Sequence, residues 1–167
     1  MIRKAKVQDV SPIKDLINAY AEKGEMLPRA LGELYDNLRD FHVCVEGDKV
    51  VGVAAIHIGW EGLAELRSVA VSPEFAGKGI GRELVLACLR EAEELGINEV
   101  FVLTYVRGFF EKLGFKLAEK EDLPQKIWTE CRNKCVKYPD QCNETALTLS
   151  LDSPPTLPSP AGGEGKR

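Results

Sequence analysis

A glycine-rich loop between an apolar strand and a long amphipathic helix constrains this chain more than any other segment. Gly77, Gly79 and Gly81 alternate along it, and a helical pattern of apolar residues covers residues 79–95. Glycine lets the backbone approach a ligand closely, and the first turn of a helix presents N–H groups that lack a partner within the helix. Together these features predict a cradle for a phosphate group. The alternative is a plain turn in which the glycines only ease packing.

Positive charge at this loop is local. Lys78 and Arg82 flank the glycines, whereas the chain as a whole has 22 Lys and Arg against 26 Asp and Glu, a net charge of −4. An acidic surface does not attract nucleic acid in general, so we expect no nucleic-acid partner. The loop also lacks the Gly-Lys-Ser/Thr ending of the mononucleotide-binding loop. A dinucleotide fold is disfavoured because it needs a βαβ unit at the start of the domain.

The hydrophobic pattern predicts strands and helices along most of the chain. Predicted strands cover residues 2–6, 41–45, 50–58, 64–71, 99–104, 115–118 and 145–151, and predicted helices cover residues 12–23, 29–39, 79–95 and 107–113. Along 64–71 the side chains are predicted to alternate between the two faces of the sheet. The order favours an α/β fold: a mixed, mostly antiparallel sheet with a parallel central pair and flanking helices.

Composition predicts one domain and a tail. Residues 1–150 are expected to form the domain, and the Pro/Gly/Ser-rich residues 151–167 are expected to be disordered. No run of 18 apolar residues and no apolar signal segment is present, so we expect a cytoplasmic protein without a membrane partner.

Two segments resemble signatures of one enzyme superfamily. The pattern Val71-x-Pro73 followed by the three alternating glycines, and the later segment 109–115 (FFEKLGF), resemble the GCN5-related N-acetyltransferase (GNAT) superfamily. The resemblance implies that superfamily's fold and acetyl-CoA as co-substrate, with no metal required. It also implies two sets of contacts to acetyl-CoA: main-chain N–H groups of Ala76, Gly77, Lys78, Gly79, Ile80, Gly81 and Arg82 for the pyrophosphate, and the segment Ser68, Val69, Ala70 and Val71 for the pantetheine arm.

Two positions depart from the superfamily pattern. Members usually have Arg or Gln where this chain has Ala76, and many have a tyrosine at Phe110 that protonates the leaving thiolate. Phenylalanine has no proton to donate. The thiolate proton is therefore expected to come from water or from Tyr105.

A narrower resemblance points to the acceptor. Segments 26–29, 64–71 and 101–104 are similar to the acetyltransferase domain of N-acetylglutamate synthase, which acetylates the α-amine of L-glutamate at the start of arginine biosynthesis. The amino-acid-kinase-like domain that senses arginine in the full-length enzymes is not found in this sequence, which suggests a short stand-alone form. Acetylation of another small amine or of a protein N-terminus, and a non-catalytic acyl-CoA sensor, are the alternatives. The oligomeric state stays open, with a homodimer as one option.

A glutamate site needs about two cations for the carboxylates. The resemblance assigns Arg29 to one carboxylate, and Lys126 and Arg132 are candidates for the other. The structural alternatives are a solvated arginine at a helix start and an exposed helix face.

The same site needs an acceptor for the amine. Glu65, in mid-strand among apolar neighbours, is expected to hold the amine and help remove its proton. Thr104 and Tyr105, at the next strand end, are candidate substrate contacts, with a purely structural role at the strand end as the alternative. The alternative for Glu65 is an outward polar residue paired with Arg67.

The five cysteines fall into two groups. Cys44 and Cys88 lie in apolar stretches and are predicted to be reduced core residues. Cys131, Cys135 and Cys142 form a cluster that is compatible with part of a zinc site, with one disulfide or with three free thiols. Direct acetyl transfer needs neither Cys44 nor Cys88 as an acyl carrier.

Overall fold

The computed structural model of the chain describes residues 1–124 and 144–151. The strands are β1 (Ile2–Lys4), β2 (Phe41–Glu46), β3 (Lys49–Trp60), β4 (Leu63–Val71), β5 (Glu99–Thr104), β6 (Lys116–Leu117) and β7 (Thr145–Ser150). The helices are α1 (Val10–Glu22), α2 (Leu31–Asp36), α3 (Ile80–Glu94) and α4 (Arg107–Glu111). Four predicted features lie outside these residues: Lys126, Arg132, the cysteine cluster and residues 152–167 of the C-terminal tail.

The strands form one seven-stranded sheet in the order β1-β2-β3-β4-β5-β7-β6. Every neighbouring pair is antiparallel except β4 and β5, which run parallel. This pair is joined by α3, the crossover that a parallel connection requires. The predicted fold class, a mixed sheet with a parallel central pair and flanking helices, is confirmed.

The sheet separates two apolar cores. One packs against α3 and contains Leu84, Val85 and Cys88 from that helix. The other packs against α1, whose Ile13 and Ile17 follow helical spacing and are almost completely buried. The buried positions of Cys44 and Cys88 confirm them as core residues. Burial raises the pKa of the Cys88 thiol to about 12, so this sulfur stays protonated near neutral pH.

The second predicted helix is shorter than residues 29–39, and that prediction was wrong at both ends. Glu33 Oε1 accepts a hydrogen bond from the backbone N–H of Ala30 at 3.0 Å, which defines the start of α2. Asn37 Nδ2 donates to the Glu33 carbonyl at 3.0 Å, and a 3₁₀ turn, Leu38–Asp40, follows. Arg29 therefore precedes the helix in extended chain.

Strand β4 contains a bulge that the sequence pattern did not predict. Val53 pairs with Ala70 but Ala55 pairs with Arg67, so β4 has one extra residue there. Ser68 adopts a φ of 58°, which is uncommon for a residue with a side chain. The predicted alternation along 64–71 is consequently wrong: Leu66 packs in the α3 core, and past the bulge the odd-numbered Val69 does so.

No helix in the described ranges is long and apolar enough to cross a membrane.

Candidate active site

The parallel strands β4 and β5 separate part-way along their length. Their ladder runs only from Leu63 to Glu65 on β4, opposite Glu99 to Phe101 on β5. Beyond it, β5 stays paired with β7 through Thr104, while β4 continues into its bulge. The gap between the two strands opens into a cavity of about 370 Å³.

Several elements line this cavity. Residues 65–69 of β4 and 102–106 at the end of β5 form two sides, and the end of α1 with the segment leading to α2 forms a third. Six residues predicted as site residues are brought together here: Arg29, Glu65, Ser68, Val69, Thr104 and Tyr105. Ala70 and Val71 continue along β4, and residues 76–82 lie beyond them at the start of α3.

Arg29 is a buried cation. Only 8% of the residue is exposed, and its backbone N–H donates to Asn18 Oδ1 at 3.2 Å. The alternative interpretation, a solvated arginine at a helix start, is therefore wrong. A guanidinium at this depth favours an anionic ligand in the cavity.

Glu65 and Arg67 form an ion pair on one face of β4. Arg67 Nη1 lies 3.4 Å from Glu65 Oε1, and their side chains are 15% and 18% exposed. The pairing expected as an alternative for Glu65 is thus present, but it faces the cavity rather than bulk solvent. Arg67 is a site residue that the sequence interpretation missed. The available signal was its position two residues after Glu65, on the same strand face.

Thr104 and Tyr105 occupy the end of β5 differently. Thr104 is 7% exposed, and its Oγ1 accepts a hydrogen bond from the Val106 N–H at 2.9 Å, just before α4. This contact gives Thr104 a structural role beside its place in the cavity wall. Tyr105 lines the same cavity, and 37% of the residue is exposed.

Phe110 lies in the cavity wall within an aromatic cluster. Its ring packs edge-on against Phe109, with centroids 4.9 Å apart, and against Phe115 at 5.7 Å. Only 3% of the residue is exposed. The position is purely hydrocarbon, as expected from the sequence, and supplies no proton.

Tyr20 of α1 also lines the cavity and was not predicted. Its hydroxyl donates to the carbonyl of Val71 at 2.6 Å, which fixes the end of β4 against α1. One backbone acceptor of the predicted pantetheine-binding segment is therefore already engaged.

The glycine loop has the geometry expected of an anion cradle. Gly77 and Gly79 adopt left-handed φ angles of 79° and 82°. A Cβ at either position would meet no described atom within 4 Å, so conformation rather than crowding accounts for glycine. Gly79 is the N-cap of α3, a helix of 15 residues, and the cap has no side-chain hydrogen bond. Lys78 Nζ lies 5.1 Å from the ring centroid of Phe75, which holds a cation beside the loop.

Metal ligation has no support in the part of the chain that is described. No group of three or more His, Cys, Asp and Glu residues there could hold a metal ion. The cysteine cluster falls in residues 125–143, outside that part.

Known proteins resemble this chain in sequence and in structure. A family model described as the acetyltransferase (GNAT) family matches residues 11–115. An uncharacterized N-acetyltransferase of Chlorobaculum tepidum is 43% identical over 150 residues, 90% of this chain and 96% of that protein. An amino-acid acetyltransferase of Mycobacterium tuberculosis is 38% identical over 137 residues, 80% of this chain and 78% of that protein.

A solved structure shares the fold. The N-acetylglutamate synthase of Neisseria gonorrhoeae, complexed with coenzyme A and N-acetyl-glutamate, superposes with a TM-score of 0.82 at 26% identity. The match covers 92% of this chain but 35% of that one, so this chain corresponds to about a third of the synthase.

Proposed function

This chain belongs to the acetyltransferase (GNAT) family, and we propose that it transfers the acetyl group of acetyl-CoA to the α-amine of L-glutamate. The family resemblance predicted from the glycine loop and segment 109–115 is confirmed, and the chain is an acetyl-CoA-dependent N-acetyltransferase. The acceptor is the proposal. One observation supports this acceptor: the buried Arg29 and the carboxylate of Glu65 line the same cavity, where β4 and β5 separate.

Acetyl-CoA is assigned to the loop and to the strand that leads to it. Main-chain N–H groups of residues 77–82 would hold the pyrophosphate, because the left-handed glycines and the N-terminus of α3 present donors to an anion. The N–H of Ala76, also predicted as a contact, already donates to the Pro73 carbonyl at 3.2 Å. The pantetheine arm would follow residues 68–71, with the Val71 carbonyl already engaged by Tyr20. This arrangement brings the thioester to the bulge, where the N–H of Val69 would polarise the carbonyl.

The acceptor amine must lose a proton before it can attack. Glu65, which lines the cavity, would hold the ammonium group and take that proton, directly or through water. The amine nitrogen then forms a bond to the carbonyl carbon and loses a second proton, the bond from that carbon to sulfur breaks, and the sulfur takes up a proton. The net products are N-acetylglutamate, CoA with a free thiol and one proton.

Tyr105 or water supplies the proton to the sulfur. Phe110 has no ionisable hydrogen, whereas Tyr105 is a phenol that lines the same cavity. A Tyr105→Phe variant with unchanged kcat would assign this proton to water.

Glutamate would be bound by positive groups at its two carboxylates and by a negative group at its amine. Arg29 would bind one carboxylate; Lys126 and Arg132 remain candidates for the other, outside the described residues. The names of the relatives support an amino acid as acceptor, since one is an amino-acid acetyltransferase and the synthase structure holds N-acetyl-glutamate. We place the reaction in the cytoplasm, at the first step of arginine biosynthesis, with a small molecule as the acceptor.

A thiol-release assay tests this proposal. The full-length chain is supplied with acetyl-CoA and with glutamate, glutamine, aspartate, lysine or a short peptide, and free CoA is followed with a thiol reagent. We expect the highest kcat/KM with glutamate. A preference for lysine or for the peptide would reject the acceptor assignment and leave the acetyltransferase activity intact.

A further inference from the structure

Arg67 is a second cation in the acceptor cavity. It lies on the same face of β4 as Glu65, and its Nη1 is 3.4 Å from Glu65 Oε1. Both side chains line the cavity and are less than one-fifth exposed. Because the pair is largely shielded from water, each of its charges interacts more strongly with a charged ligand than it would at the surface.

The bulge fixes the direction of this side chain. Arg67 is paired with Ala55 of β3 in the same register as Glu65 with His57, so Glu65 and Arg67 share one face. The register shifts immediately afterwards, at the left-handed Ser68. Arg67 is thus the last β4 side chain of this face before the segment assigned to the pantetheine arm.

An α-amino acid carries its ammonium and its α-carboxylate on the same carbon. The protein groups that bind them must therefore be neighbours, with an acceptor for the amine beside a cation for the carboxylate. Glu65 and Arg67 are neighbours of that kind. We propose that Arg67 binds the α-carboxylate of the acceptor while Glu65 holds its amine. This inference rests on the proposed acetyl transfer to an amino acid.

Arg29 then binds the side-chain carboxylate. It reaches the cavity from the segment before α2, a different wall from β4. Two further carboxylates line the cavity: Glu25, which is exposed, and the half-buried Glu144. Because these repel a dianion, the two arginines are the described cations on which its binding depends.

The planar guanidinium also explains why an arginine suits this position. Its donors form a fork that can bind two oxygens of one carboxylate and a neighbouring carboxylate at once. Arg67 can therefore contact the substrate without releasing Glu65. A lysine would offer a point charge with less directional control.

Three acceptors separate the two carboxylates of glutamate. L-Glutamate has both, L-glutamine keeps only the α-carboxylate, and the α-amide of glutamate (isoglutamine) keeps only the side-chain carboxylate. In Arg67→Met we expect kcat/KM to fall at least about tenfold for glutamate and for glutamine and to change little for isoglutamine. Arg67→Lys should recover part of the loss.

Arg90→Met is the matched control, because it removes an arginine that is exposed on α3. Thermal melting and calorimetric binding of CoA establish that each variant is folded. An equal loss for all three acceptors would show that Arg67 only supports Glu65, and no loss would remove it from the site; either result overturns the inference.

Failure of the proposed function gives a different result. A wild-type enzyme that ignores glutamate but acetylates another α-amino acid rejects the glutamate assignment. The same comparison, made between that amino acid and its α-amide, then tests Arg67. Acetylation only of amines without a neighbouring carboxylate overturns both.

Discussion

The hydroxyl of Tyr20 donates a hydrogen bond to the backbone carbonyl of Val71, with 2.6 Å between the two oxygens. The bond joins α1 to the last residue of β4, immediately before the loop that leads to α3. One side chain thereby links α1 to the end of β4, next to the glycine loop.

Removal of this hydroxyl is expected to weaken the fold. Tyr20→Phe leaves the Val71 carbonyl without that donor, and the free energy of unfolding should fall by about 1 kcal/mol. Urea denaturation measures the change, and the KM for acetyl-CoA should rise because the end of β4 is less constrained. Tyr35→Phe is the control, since that tyrosine is 52% exposed. Equal stability of the two variants would contradict the coupling.

A negative charge in the glycine loop should oppose acetyl-CoA. Gly79→Asp places a carboxylate where the pyrophosphate is expected, and the affinity for acetyl-CoA should fall at least about tenfold, or 1.4 kcal/mol. Gly79→Asn is nearly isosteric, tolerates the left-handed conformation and adds no charge. Calorimetric titration compares the two. The prediction fails if both variants bind acetyl-CoA equally well.

Loss of the buried cation should act on the acceptor. Arg29→Ala removes one partner of the charge pair that we propose between this buried arginine and a glutamate carboxylate. Losing one partner of a buried pair typically costs roughly 2–5 kcal/mol, so kcat/KM for glutamate should drop 30-fold or more. The KM for acetyl-CoA should hardly change, because Arg29 lies away from the glycine loop. If Arg29 binds the side-chain carboxylate, the ratio of kcat/KM for glutamate to that for glutamine decreases in the variant. An equal loss of kcat/KM for both substrates would assign Arg29 to the α-carboxylate.

His42 makes stability depend on pH. Burial lowers the pKa of this imidazole, with nearby Lys4 and Arg90 acting in the same direction and Glu91 opposing them. The unfolded chain therefore binds a proton at higher pH than the folded chain does. With respect to this group, the free energy of unfolding is highest above the ordinary histidine pKa of about 6.5 and decreases as the pH drops below that value.

Urea midpoints at pH 7.5 and pH 5.5 measure this dependence. The difference between the two should be smaller in His42→Gln than in the wild-type chain. Asp9, whose pKa is held low chiefly by its hydrogen bonds from Arg3, titrates below this window and does not interfere. An unchanged difference would mean that other groups carry the effect.

Sequence reasoning predicted the parts of the fold that depend on local pattern. The apolar periodicity of α1 and α3 and the glycines before α3 each specify one conformation on their own. Those signals were enough for the fold class, and they place a glycine loop immediately before α3. Arg29 and Glu65, far apart along the chain, could be placed together only through the family resemblance.

The features that were missed depend on tertiary context. A serine at φ 58° gives no sequence signal, because glycine or asparagine is the usual residue there. After the bulge, odd-numbered side chains of β4 point to the opposite face of the sheet from those before it. The regular alternation predicted for residues 64–71 is therefore broken. Arg67 was taken only as a partner of Glu65, since nothing in the chain shows that β4 and β5 separate beyond Glu65.

The bulge at Ser68 also divides one strand between two tasks. Glu65 and Arg67, before it, line the cavity, whereas Val69 and Val71, after it, pack against the opposite core and lead to the glycine loop. Because the extra residue separates the two sets, a substitution at 65 or 67 alters contacts on one face without repacking the other. The preferred acceptor of such a scaffold can therefore diversify while its use of acetyl-CoA stays constant.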